Sequence, residues 1–180
     1  MSLFDIAGLI GVAIILAAYA LATTGRLDPK RAPSLALNFA GSSLILLSLM
    51  RAFNLSAAAV RAMLKQAYRD GARSRGRIVT VTATAATNPN PGFPAYSTAK
   101  GAVNSLMLSL ARDYKADGIV ANAVLLGGVN FPGSEKFRSA EDNAKAVSAA
   151  EVADVLTFLA SDRGTGINGE LLTLSAREID

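Results

Sequence analysis

The sequence predicts an α/β protein, a parallel sheet of about three strands with helices, preceded by an α-helical transmembrane hairpin. Two observations predict it. Residues 6–22 and 35–50 carry no charged side chain, whereas past residue 55 stretches with helical spacing alternate with short β-branched runs. The chain has 180 residues, which allows one ordinary domain or a small domain with an appendage. It is 51 % hydrophobic but only 6 % aromatic.

The first uncharged run, IAGLIGVAIILAAYALA, has seventeen residues. As a helix it would cover roughly 26 Å against a hydrocarbon core of about 30 Å. The second, LALNFAGSSLILLSLM, carries Asn38 and three serines. Between them TGRLDPKRAP forms a polar turn with Pro29 and Pro33 as breakers. A hairpin over 1–53 is the expectation, with two buried helices of a soluble core as the alternative. A cleavable signal peptide fits less well, because MSLFD has no positive side chain and a second apolar run follows. Ala7, Gly8 and Gly11 would let the two helices approach closely, and Asn38 could hydrogen-bond across the contact or face the interface.

The second domain, 54–180, opens with SAAAVRAMLKQAYRDGA. Val60, Met63, Leu64 and Ala67 fall at helical spacing, with Arg61, Lys65, Arg69 and Asp70 on the other face. RIVTVTA has the composition of a buried parallel strand. From 95 to 114, Val103, Leu106, Met107, Leu110 and Ala111 repeat at three and four, an amphipathic helix. IVANAVLL reads as another buried strand ended by Gly127-Gly128, AAEVADVLTFLASD as a helix with Glu151 and Asp154 early in it, and ELLTLS as a last strand. The order α-β-α-β-α-β implies parallel strands joined by crossovers.

Composition limits the chemistry. Without cysteine there is no disulfide or thiolate, and without histidine no Ser-His-Asp triad and no usual metal ligand, so no metal site is expected. Acid–base work must run through Tyr, Lys, Asp or Glu. Tyr96 and Lys100 stand four apart at the head of a helix, on one face and about 5–6 Å apart at Cβ. A nearby ammonium favours the phenolate and would lower the tyrosine pKa, which suits a general acid–base. The pair follows a strand–loop junction, the end of an open sheet where ligands bind. Taken alone, the spacing also fits a solvated helix face.

Together GRIVTVTATAATNPNPGFPAYSTAKGAVNSLMLSLA, GIVANAVLLGGVNFP and EVADVLTFLASDRGTGINGELL resemble the second half of a short-chain dehydrogenase/reductase, over roughly residues 54 to 175. The resemblance implies a partial Rossmann-like sheet. It makes Tyr96 the catalytic acid–base and Lys100 the residue that lowers its pKa and holds the nicotinamide ribose. It gives Asn54 a place in the proton relay, and puts Gly127 and Val129 beside a cofactor, NAD or NADP. It also implies a dimer through helices 55–72 and 95–115. The first sixty residues are similar to a small bacterial two-helix membrane domain of unknown function, on Gly11, Tyr19, Gly25, Asn38, Gly41, Ser48 and the FNL at Phe53 to Leu55. Asn54 belongs to both patterns. This second resemblance implies membrane lipid as a partner and a bacterial inner-membrane location. The arginines from Arg51 to Arg77 outnumber the basic residues of the 24–33 loop, which places the C-terminal lobe in the cytoplasm.

The chain also departs from the pattern. The serine expected thirteen residues before the tyrosine is Ala83, as in the dihydropteridine reductase branch, which lacks it too. The usual Pro-Gly after the second strand is Leu126-Gly127, and the threonine that would hold the carboxamide is Phe131. No TGxxxGxG, ribose-binding acid or NNAG occurs, and the Gly8–Gly11 pair sits inside an apolar helix. Dinucleotide binding by this chain alone is therefore not expected, and a non-catalytic membrane protein or fusion product is the competing reading. RDGARSRGR reads as a solvated loop, with anionic lipid headgroups second. No nucleic-acid-binding module is recognisable.

Overall fold

A computed structural model describes residues 10, 14, 50, 52–68, 71–89, 94–136 and 139–175. The expected hairpin over 1–53 lies almost wholly outside them. Among the described residues no helix is long and apolar enough to cross a membrane.

The described lobe opens with helix α1 (52–64) and continues with strand β1 (Gly76–Ala83), helix α2 (Pro94–Asp113) and strand β2 (Ile119–Leu126). After these come β3 (Val129–Asn130), α3 (Ala140–Lys145), β4 (Val147–Ser148), α4 (Ala149–Ala160) and β5 (Leu171–Leu174). Strands β1, β2 and β5 form one parallel sheet in that order. Parallel neighbours cannot be joined by a tight turn, so α2 and α4 carry the chain back between them. The expected α/β sheet of three parallel strands is present.

β2 is central and buried over seven of its eight residues, which is why its sequence is a continuous apolar run. Ile119, Ala121, Ala123 and Leu125 lie on one face with Val60 of α1 and Met107, Leu110 and Ala111 of α2. That cluster is the core. Asn122 interrupts the run without cost. Its amide donates to the Ile167 carbonyl and its oxygen accepts from the Glu170 N–H, so a buried polar group is fully paired.

β1 differs from its expectation. Its composition predicts a buried strand, but only Thr82 and Ala83 are buried, and Val81 is 42 % exposed. Its pairing is one-sided. β1 forms an edge of the sheet, so its outer backbone groups have no ladder partner in the described lobe.

α1 also ends earlier than its periodicity suggests, at 64 rather than 72. The reason lies downstream. The Arg75 guanidinium donates to the carbonyls of Leu64 and Gln66, and Lys65 and Gln66 make short i→i−3 bonds that close the last turn. Of the expected apolar face, Val60 and Met63 do turn inward, joined by Ser56, whereas Leu64 and Ala67 are exposed. The later helix is well specified: Ser148 caps α4 and Glu151 returns the bond to the Ser148 N–H, a complete capping box.

Candidate active site

α2 starts at Pro94, a residue suited to the first helical position because its missing N–H would be unsatisfied there in any case. Tyr96 and Lys100 lie one turn apart near this end. β1 and β2 end side by side, Ala83 opposite Leu126, so the β1–α2 connection and the Gly127–Val129 segment share one end of the sheet. That is the carboxyl end of the strands.

The Lys100 ammonium lies over the Tyr96 ring, 5.7 Å from its centroid. Tyr96 is 38 % exposed, and among the described residues its hydroxyl has no hydrogen-bond partner. Partial burial raises the Tyr96 pKa above its ordinary value and lowers that of Lys100. The spacing argument predicted a depressed tyrosine. The correction is geometric: the ammonium faces the ring rather than the phenol oxygen, so desolvation sets the direction. At neutral pH Tyr96 is a phenol, a proton donor.

Asn54 lies on α1 ten residues before Leu64, roughly 15 Å toward the Tyr96 end of the sheet. It is exposed, with no partner among the described residues. Gly127 and Val129 are engaged by the fold itself. The Gly127 N–H donates to the Leu174 carbonyl, and a Cβ there would press on Ser175 at 3.2 Å. Val129 pairs with Val147 in the two-stranded β3–β4 ladder. Ala83 is buried and offers no hydroxyl. Thr82 is buried with its hydroxyl unpaired. It shares a strand face with Thr80, whose hydroxyl meets the Met107 sulfur of α2, so Thr82 points toward α2 and cannot replace the side chain at position 83.

Two polar residues escaped the sequence reading. Ser97 and Asn104 are buried on α2, and the Ser97 hydroxyl and the Asn104 side-chain oxygen have no partner among the described residues. Their seven-residue separation, in step with Val103 and Met107, was the available signal.

A dinucleotide fits these residues only in part. Tyr96 and Lys100 could meet a ribose. The sequence holds no glycine loop between a strand and a helix for the phosphates, and the Gly127 amide is already used. Cavities of about 410 and 460 Å³ occur in the lobe, and neither is lined by Tyr96 or Lys100.

A family model described as Enoyl-(Acyl carrier protein) reductase matches residues 45–176, and a second family model matches residues 4–63 without assigning a location. The chain is 32 % identical over 136 residues to the 3-oxoacyl-(acyl-carrier-protein) reductase FabG of Escherichia coli, covering 69 % of this chain and 52 % of that protein. It is 31 % identical over 109 residues to an NADPH-dependent aldehyde reductase-like protein, chloroplastic, of Arabidopsis thaliana, covering 56 % and 40 %. Among solved structures, acetoin dehydrogenase YohF from Salmonella typhimurium superposes with a TM-score of 0.63 at 28 % identity, over 76 % of this chain and 55 % of that one. The 3-hydroxyacyl-CoA dehydrogenase type-2 from Mycobacterium avium gives 0.67 at 25 %, over 78 % and 58 %. The chain thus spans about half the length of the curated relatives it matches.

Proposed function

The chain belongs to the short-chain dehydrogenase/reductase family, and from that premise we propose that Tyr96 and Lys100 are the proton-transfer pair of an NAD(P)-linked oxidoreductase site. One observation carries the reading: a phenol and an ammonium stand one helical turn apart at the carboxyl end of a parallel sheet. Carbonyl reduction requires a proton at the carbonyl oxygen, and a phenol that stays protonated at neutral pH can deliver it. The Lys100 charge then steadies the phenolate left behind. Asn54 would extend the relay from α1.

These 180 residues do not complete the site. They lack a phosphate-binding loop and a hydroxyl at position 83, so the reading assigns these residues by themselves no turnover. The same reading tethers the chain by a hairpin over 1–53 to bacterial inner-membrane lipid, with the lobe in the cytoplasm. It pairs two copies through α1 and α2, where Phe53 and Leu55 are exposed at 58 % and 74 %. A non-catalytic membrane protein is the second reading, favoured by Ala83 and by Phe131 in place of the expected hydroxyls.

Co-expression with the half of the E. coli reductase that this chain does not match tests the proposal. The expected result is NADPH-dependent ketone reduction that Tyr96→Phe abolishes. Reduction indifferent to Tyr96, or no reduction from a folded complex, would favour the non-catalytic reading.

A further inference from the structure

The basic run Arg69 to Arg77, read from sequence as a solvated loop, has a definite use in the fold. Arg75 caps α1 and also donates to the Asp117 carbonyl. Arg77 pairs with Asp162 at 2.6 Å. Arg73 is left over, exposed and without a partner among the described residues. It lines the cavity of about 410 Å³ together with Arg112 and Lys115 of the α2 end, which are likewise exposed and unpartnered. No aspartate or glutamate lines that cavity.

Arg112 and Lys115 could simply offset the negative end of the α2 dipole. That role does not account for Arg73, which lies outside α2, and in the last turn the Leu110 and Ala111 carbonyls already accept from the Tyr114 N–H and the Asn168 amide. The loop before β5 also lines the cavity, and the N–H groups of its Gly166 and Asn168 have no acceptor among the described residues. Three cations without an ion-pair partner among the described residues, with two amides lacking acceptors, share one concavity, a donor set that suits an anion.

We propose that this cavity binds a phosphate group, with Arg73, Arg112 and Lys115 as its charged contacts and the loop amides as its neutral donors. The site is separate from Tyr96. Arg112 lies sixteen positions along the helix from Tyr96, roughly 24 Å away. It is also remote from the membrane entry expected before residue 52, because α1 runs roughly 18 Å from there to its end beside Gly118. That distance favours a phosphate carried by a soluble molecule over a lipid headgroup, although the chemistry of recognition is the same.

Amide NMR of the full chain in phosphatidylcholine nanodiscs, titrated with inorganic phosphate against chloride at matched ionic strength, tests the site. The Gly166, Asn168 and Gly169 resonances should shift saturably with phosphate. Arg112→Gln with Lys115→Gln should weaken the response about tenfold or more without moving other signals, since both side chains are exposed and unpaired. In a second arm the discs carry phosphatidylglycerol and no free phosphate. Shifts of the same amides there would identify lipid as the source, and none would leave the soluble source. No phosphate-specific shift in either arm, or shifts unchanged in the double variant, would overturn the site.

Discussion

The Lys100 ammonium sits over the Tyr96 ring rather than beside its hydroxyl, 5.7 Å from the centroid. The contact is cation–π in kind, and with the ammonium over the ring face its pull on the phenol oxygen is outweighed by desolvation. Burial therefore sets the direction, raising the tyrosine pKa from 10.0 and lowering that of Lys100 from 10.5.

The first prediction is spectroscopic. In a difference titration of phenolate absorbance between the native chain and Tyr96→Phe, the Tyr96 component should ionise above pH 10. The sign for stability follows. A raised tyrosine pKa gives stability that is present below pH 10 and lost as pH climbs through the folded value. A lowered Lys100 pKa gives stability present above 10.5 and lost as pH falls through the folded value. The two oppose each other near pH 10, so Tyr96→Phe should make the chain more tolerant of alkali. A Tyr96 midpoint below 10 would contradict the geometry.

A second prediction concerns the turn at the base of the lobe. Tyr68 and Arg75 both donate to the Asp117 carbonyl, and the Arg75 guanidinium stacks 5.0 Å from the Tyr68 ring. Gly118 follows with φ +71, and a Cβ there would collide with the Tyr68 hydroxyl. Gly118→Ala should cost about 2 kcal/mol or more, from left-handed backbone strain plus the collision. Adding Tyr68→Ala should recover only the collision, leaving roughly 1 kcal/mol. Thermal unfolding of the four proteins reads the cycle, and additive losses would show that Tyr68 does not press on Gly118.

Much of the lobe was legible because local composition and tertiary environment agree. Ile119–Leu126 matched its strand residue for residue, since a fully buried central strand writes itself as an apolar block between two glycines. The β3–β4 pair was invisible, because two residues per strand carry no periodicity and their pairing is decided by the chain between them. The end of α1 depends on the side chain of Arg75, nine and eleven residues beyond the carbonyls it caps. The site was half legible. Spacing placed Tyr96 and Lys100 together, but the direction of the tyrosine pKa depends on burial and on where the ammonium points, which spacing does not encode.

Membrane retention is the third prediction. If residues 6–22 and 35–50 form the hairpin, the chain should stay in the membrane fraction through high salt and alkaline carbonate, because apolar helices rather than charge would hold it. Release into the soluble fraction would remove the hairpin from the account.

Self-association is the fourth. α1 exposes Phe53, Leu55 and Leu64, and β1 offers an unpaired edge with Val81 uncovered. Light scattering in detergent should give a dimer, and Phe53→Ser with Leu55→Ser should shift it toward monomer. A native chain already monomeric at micromolar concentration would contradict this.

The central proposal is that Tyr96 and Lys100 form a proton-transfer pair and that these 180 residues by themselves bind no dinucleotide. Positioning the reactants can supply about 7–11 kcal/mol of a barrier, so without cofactor binding the pair has nothing to act on. Calorimetric titration of the purified full chain with NADH and with NADPH tests this most directly. No measurable heat of binding from a folded sample is the predicted result. Micromolar affinity that Lys100→Ala abolishes would contradict it.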